Sequence, residues 1–279
     1  MRKITIDLIS DFKSHLTEEE KSENTIDKYI RDINFFAEWL CGREVTKILA
    51  LEYKNELCKK YAPTSVNAAI SSINSFFAFM EWFDIRIKSL KMQRQIFSPK
   101  EKELSKAEYE KLLTAAKSKK STRLYYLMQT ICSTGIRVSE LSHITVSAVK
   151  SGQAVISCKG KMRIVILPKE LCKMLGKYIA ENKIKNGSVF VSRNGKPLDR
   201  SYIWKSMKEL CRFAGVSKTK VFPHNFRHLF ARTYYSLQKD IVRLADILGH
   251  SSVNTTRIYT IESGEFHRRI IQKLGLLRC

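Results

Sequence analysis

Pro223-His224-Asn225-Phe226-Arg227-His228, followed by Leu248-Gly249-His250 and, nine residues later, by Tyr259, is the stretch that decides how this chain is read. A helix is expected at about 224–238, so His224 and Arg227, three apart, would project from one helix face. Upstream, Ser133-Thr134-Gly135-Ile136-Arg137-Val138-Ser139-Glu140-Leu141 contains a glycine that lets a helix end in a left-handed turn, and Arg137 then sits at a junction from which a side chain is easily aimed. Lys159 falls in Lys159-Gly160-Lys161, a turn between two extended runs. Two guanidiniums can grip the non-bridging oxygens of a phosphate, while two imidazoles and an ammonium move protons around the same centre. A tyrosine hydroxyl supplies a nucleophile. Alone, each of these residues has an ordinary reading as a surface cation or a structural ring; their order and spacing carry the signal.

These segments resemble the tyrosine recombinases, the superfamily of Xer-type recombinases, phage integrases and Cre-like enzymes. Ser22-Glu23-Asn24-Thr25 through Trp39-Leu40 is similar to the opening helices of that family's DNA-clamping domain, so the resemblance spans nearly the whole chain. It implies a mainly α fold with a small antiparallel β-sheet, made of an N-terminal four-helix SAM-like core-binding domain and an α+β catalytic domain. It further implies that Tyr259 attacks DNA to form a 3′-phosphotyrosine, that Arg137 and Arg227 hold the phosphate, that His224 handles the tyrosine proton and that His250 hydrogen-bonds the phosphate. Lys159 would protonate the departing 5′ oxygen. No cofactor or metal is expected. The expected partner is double-stranded DNA with paired inverted half-sites, bound by a homo-tetramer or together with a related recombinase. A type IB topoisomerase that nicks and reseals, and a catalytically silent DNA-binding regulator of the same fold, are the alternatives. The helical clamp and the tail count against the first, the intact Arg, Lys, His, Arg, His, Tyr set against the second.

The chemistry requires such a set. A phenol with a pKa of about 10 is mostly protonated at neutral pH, and the transition state at phosphorus is more negative than the ground state. Preorganised cations answer the second difficulty, and losing one typically costs on the order of 100-fold in rate.

Several residues keep two readings. Cys158 stands where relatives commonly have glycine, and the turn looks one residue short, so Lys161 competes with Lys159 as the reaching lysine. His224 and His228, four apart, could share a metal, though no third ligand accompanies them. Glu140, one turn from Arg137, orients a neighbour or merely caps. Tyr125, Tyr126, Tyr234 and Tyr235 are rival nucleophiles on composition, but only Tyr259 follows Leu-Gly-His at the family's spacing.

The chain has 279 residues and a formal net charge of +23. Residues 1–97 hold 15 Lys and Arg against 14 Asp and Glu, a net of +1, whereas residues 98–279 hold 35 against 13, a net of +22. Such a balance predicts a polyanionic partner and salt-sensitive binding, its field coming from the half that carries the site. Seven scattered cysteines without a Cys-x-x-Cys pair read as reduced thiols. With no signal core after Met1-Arg2-Lys3 and no apolar run near the roughly 20 residues of a membrane span, the expectation is a cytoplasmic protein.

Along the chain, residues 1–90 read as the helical clamp domain, 91–103 as a basic linker and 104–279 as the catalytic domain, ending in a helix at 262–274. Helices are expected at 4–16 with Ile6, Ile9 and Leu16 on one face, after Ser22 or Asn24, at 46–61, and from Pro63. In the second half, helices at 106–116 and 124–133 precede three extended runs at 144–149, 153–157 and 163–167. Helices follow at 169–183, 199–214, 224–238, 241–248 and 252–259. The linker is either a solvated tether or, as its charge favours, a segment lying against phosphates. No additional amino-terminal arm-binding domain is expected, in keeping with a two-domain, Xer-like architecture.

Overall fold

The computed structural model describes residues 2–92, 102–158, 161–192, 194–259 and 273. Most of the expected linker, Lys159 with Gly160, and all of the expected terminal helix but position 273 lie outside the described residues. The chain divides into two compact units, Met1–Arg94 and Gln95–Cys279.

The first unit holds α1 (Ile6–Glu18), α2 (Glu23–Leu40), α3 (Lys47–Lys60), α4 (Pro63–Phe79) and a 3-10 turn at Phe83–Ile85. Hydroxyls open α1 and α3, Thr5 accepting from the Leu8 amide and Thr46 from that of Leu49. Pro63 opens α4, where its missing N–H has no helical partner to lose. Phe12, Leu16, Ile33, Phe36, Ile70, Ile73, Phe76 and Phe77 are sealed from solvent, with Phe12 edge-on to Phe76 at 5.2 Å. The expected inward stripe through Ile6 is corrected, because Ile6 is 87% exposed. At about 100° per residue it stands roughly 120° from Phe12 around the axis, and the Phe12–Leu16 pair selects the buried face.

The second unit begins with α5 (Lys106–Ser118), opened by reciprocal bonds between Ser105 and Glu108, and α6 (Thr122–Thr134). A 3-10 turn (Val138–His143), α7 (Val146–Ser151) and the strands β1 (Gln153–Cys158) and β2 (Lys161–Ile166) follow. The strands pair antiparallel from Gln153 opposite Ile166 to Cys158 opposite Lys161. Ala154, Ile156 and Val165 face a core with Leu112, Met128, Ile131, Leu175 and Phe226, while Val155, Met162, Ile164 and Ile166 face outward. Beyond the hairpin come α8 (Lys169–Glu181), α9 (Arg200–Ala214), α10 (Pro223–Gln238), α11 (Ile241–Leu248), α12 (Val253–Thr256) and a final 3-10 turn, Arg257–Tyr259.

Two sequence expectations are corrected here. The run 144–149 is not a strand: Thr145 pairs only in an isolated bridge with Ser188, and its hydroxyl then accepts from the Ala148 amide at 3.1 Å and starts α7. The cap overrides the β-branched composition. The single helix expected at 252–259 is two pieces, and the tighter second one carries Tyr259, which is 4% exposed. No helix among the described residues is long and apolar enough to cross a membrane.

Candidate active site

Helix ends build the site. Gly135 closes α6 in the left-handed region, and Arg137 follows in extended conformation before the Val138–His143 turn. Gly249 closes α11 in the same way, at φ 64°, so that the chain reverses and presents His250. Pro223 starts α10, and Asn225 fixes that start by donating to the carbonyls of Lys102 and Lys220, at 2.8 and 2.6 Å. His224 and Arg227 then lie one turn apart.

Arg227 is the centre of the arrangement, only 1% exposed. Its Nη1 donates to the Gly135 carbonyl at 2.6 Å; its Nη2 donates to the Leu248 carbonyl at 2.7 Å and to His250 Nε2 at 2.9 Å. The last carbonyls of a helix lack intrahelical partners and carry the negative end of its dipole. The end of α11 repeats this use. The Ile247, Leu248 and Gly249 carbonyls accept from Arg163 at 2.7 Å, Arg227 at 2.7 Å and Arg137 at 3.3 Å in succession. Glu140 adds a carboxylate to the cluster, with Oε1 accepting from Arg137 Nη1 at 2.9 Å and Oε2 from Arg163 Nη2 at 2.6 Å and the Arg137 amide at 2.9 Å. A fan of carbonyls and one carboxylate thereby gather three guanidiniums.

The titration of the site follows from this packing. Burial, reinforced by the Arg137 charge and opposed by Tyr259, brings the Arg227 pKa down to about 10, which leaves it cationic at neutral pH. Burial works against ionising Glu140, yet its bonds to the Arg137 amide and the two guanidiniums outweigh that and hold its carboxyl below the usual range. His250 is pushed down to about 4, first by burial and then by Arg227 and Arg137. Arginine can only donate, so His250 Nε2 accepts, and Nδ1 bears the proton it gives to Thr256 Oγ1 at 2.8 Å. His224, open to solvent at the helix start, is lowered by partial burial and by Arg227 and Arg137.

Tyr259 is wedged into this cluster. The His228 ring meets it edge-on at 4.8 Å and the His250 ring lies nearly parallel at 6.0 Å. His228 also meets His224, with ring centroids 4.4 Å apart. Burial, then His224, pushes His228 down to about 3, and its Nε2 is buried without a hydrogen-bond partner. Among the described residues no three His, Cys, Asp or Glu side chains are grouped to hold a metal. Arg137, His224, Arg227, His250 and Tyr259 are thus brought together; Lys159 lies outside the described residues. Arg163 and Thr256 were not singled out by the sequence, and His228 only as half of a possible metal pair with His224. The signal for the first was ambiguous: Arg163 shares a strand face with Val165, but the opposite face, with Met162, Ile164 and Ile166, is apolar as well.

The profile of the Phage integrase family matches residues 102–265, and that of the Phage integrase N-terminal SAM-like domain matches residues 9–83. Tyrosine recombinase XerA of Pyrococcus furiosus is 28% identical, the alignment covering 99% of this chain and 98% of the relative. Tyrosine recombinase XerD of Listeria monocytogenes is 30% identical over 91% of this chain and 93% of its own. The crystal structure of a lambda integrase tetramer bound to a Holliday junction superposes with a TM-score of 0.71 at 18% identity, covering 92% of this chain and 77% of that one, a likeness of fold.

Proposed function

Because the chain belongs to the phage integrase family of tyrosine recombinases, we propose that it is a site-specific recombinase that cuts and rejoins DNA through Tyr259 with neither metal nor ATP. The Tyr259 hydroxyl attacks the scissile phosphorus, the bond to the 5′ oxygen breaks, and that oxygen takes the electron pair and a proton from Lys159. The phenolic proton passes to His224, whose lowered pKa keeps it neutral and able to accept near pH 7. Arg137 and Arg227 meet the charge that develops on the non-bridging oxygens. One phosphoester replaces another, so no nucleotide is consumed, and a 5′ hydroxyl from a second duplex reverses the step as strand exchange. His250 holds Arg227 through Nε2, and bonding the phosphate as well requires releasing one of its two present partners.

The observation that carries this reading is the packing of Tyr259 against His228 and His250 beside Arg227 within one chain. The partner is double-stranded DNA with paired inverted half-sites, bound by a homo-tetramer; the lambda integrase tetramer on its junction supports that assembly by fold. Incubation with a DNA substrate whose cut end diffuses away should trap a protease-sensitive covalent adduct in excess chelator. Tyr259→Phe should bind the same site and give none. Adduct from that variant removes Tyr259 as nucleophile, and an absolute need for a divalent ion removes the metal-free mechanism. Recombinant products, rather than relaxation alone, separate a recombinase from a topoisomerase.

A further inference from the structure

Arg163 lies on the inward face of β2, opposite Ile156, with its side chain 15% exposed. One end of its fork donates to Glu140 and the other to the Ile247 carbonyl, at 2.6 and 2.7 Å. Its methylenes cross Gly249, where a Cβ would strike the Arg163 Cδ. The same Glu140 carboxylate is bound by Arg137.

We propose that Arg163 is a positioning residue for the cleavage reaction: it takes up part of the Glu140 charge so that Arg137 keeps its own for the phosphate, and it braces the turn from which His250 reaches Arg227. The proposal rests on the reading of Arg137 as a phosphate clamp. Without Arg163, the single negative charge of Glu140, which is 5% exposed, faces Arg137 alone, and the pair approaches neutrality where a cation is needed. With it, two cations share one carboxylate and a net positive charge remains toward the reacting phosphorus. The geometry calls for a guanidinium, since a planar fork reaches two separately placed acceptors that one ammonium cannot bridge.

The test compares single-turnover cleavage of an ordinary scissile phosphodiester with that of a methylphosphonate, whose phosphorus lacks one charged oxygen. Arg163→Met keeps an apolar stem over Gly249 and removes the charge, while Arg163→Lys returns the charge. Arg163→Met should slow diester cleavage by about ten- to a hundredfold, leave DNA binding unchanged, and lose most of that deficit on the methylphosphonate. Arg163→Lys, which returns the charge but can reach only one of the two acceptors, should recover part of the diester rate. Arg137→Ala, run alongside, should show the same relief, and Arg163→Gln serves as the neutral variant should Arg163→Met not fold. Wild-type cleavage by the neutral variant overturns the proposal. A deficit equal on both substrates, with Arg137→Ala relieved, also overturns it and leaves the clamp intact, because Arg163 is then only a structural tie. If Arg137→Ala is not relieved either, the clamp reading fails and the proposal falls with it.

Discussion

At the scale of single residues, the site solves a problem of like charges. Arg137, Arg163 and Arg227 crowd one carboxylate and three consecutive carbonyls, and the surrounding imidazoles are kept neutral first by burial and then by these charges. That neutrality has a measurable cost in acid. In the unfolded chain a histidine titrates near 6.5, whereas folded His250 resists protonation to about 4 and His228 to about 3. Between those values the unfolded state binds protons that the folded state refuses, so stability is complete above about pH 6.5 and is lost as pH falls through the window. Both rings are partly buried, and at about 1.4 kcal/mol per pKa unit, discounted for partial exposure, a loss of roughly 1–3 kcal/mol is expected between pH 7 and pH 5. Urea unfolding of the full chain at the two pH values reads this directly. His228→Asn should flatten the dependence, and an unchanged midpoint in the wild type would count against neutral, buried imidazoles. Gly249 is the second residue to test. Its positive φ and its contact with Arg163 leave no room for a side chain, so Gly249→Ala should destabilise by about 1–3 kcal/mol and reduce cleavage with it. Wild-type thermal stability in that variant would show that the α11 turn tolerates rearrangement.

At the scale of elements, α11 matters more than its eight residues suggest. Its N-terminus is capped by Asp240, which accepts from the amides of Val242 and Arg243 at 3.0 Å each, and its C-terminus supplies the carbonyls that hold the arginines. Asp240→Ala should cost about 1 kcal/mol of stability while sparing cleavage well below the melting transition, because the cap lies at the end remote from the chemistry. A cleavage defect without a stability defect would place Asp240 in the reaction instead. The same elements show what could be read beforehand. Pro223, Gly135 and Gly249 are punctuation whose physical meaning is local, and the helices they open or close stand where the sequence puts them. The 144–149 run was misread because Ile144, Val146 and Val149 favour strands on composition, while one threonine cap and burial on a short helix decided otherwise. Arg163 was missed for a related reason. Met162, Ile164 and Ile166 are apolar yet face outward, so alternation alone could not tell which side of β2 met the core. Contacts joining Glu140, Arg163 and Ile247 are long-range, and no local rule encodes them.

At the scale of the whole molecule, charge and assembly decide what the chemistry acts on. The net of +22 in residues 98–279 against +1 in residues 1–97 places the positive field in the second half, where phosphate contacts are expected. Half-site affinity should fall steeply with salt, and each phosphate-contacting lysine removed from the second half should reduce the logarithmic slope by about 0.9. A slope near zero would leave electrostatics out of recognition. Assembly, as proposed, is expected to depend on the segment after Tyr259, in whose sequence Ile261, Phe266, Ile270, Ile271, Leu274 and Leu277 are interspersed with His267, Arg268, Arg269 and Lys273. Apolar positions at helical spacing need a surface to cover them. A segment joined directly to Tyr259 that docks on a neighbouring protomer would couple the placement of the nucleophile to the presence of that neighbour, and cutting would then await assembly. A chain ending at Thr260 should accordingly bind an isolated half-site as the full chain does, yet lose cooperative occupancy of a paired site and most recombination. Mobility-shift titrations on half and full sites, with a recombination assay beside them, distinguish the outcomes: if the shortened chain occupies the full site cooperatively and recombines normally, the segment folds onto its own protomer and the coupling lies elsewhere.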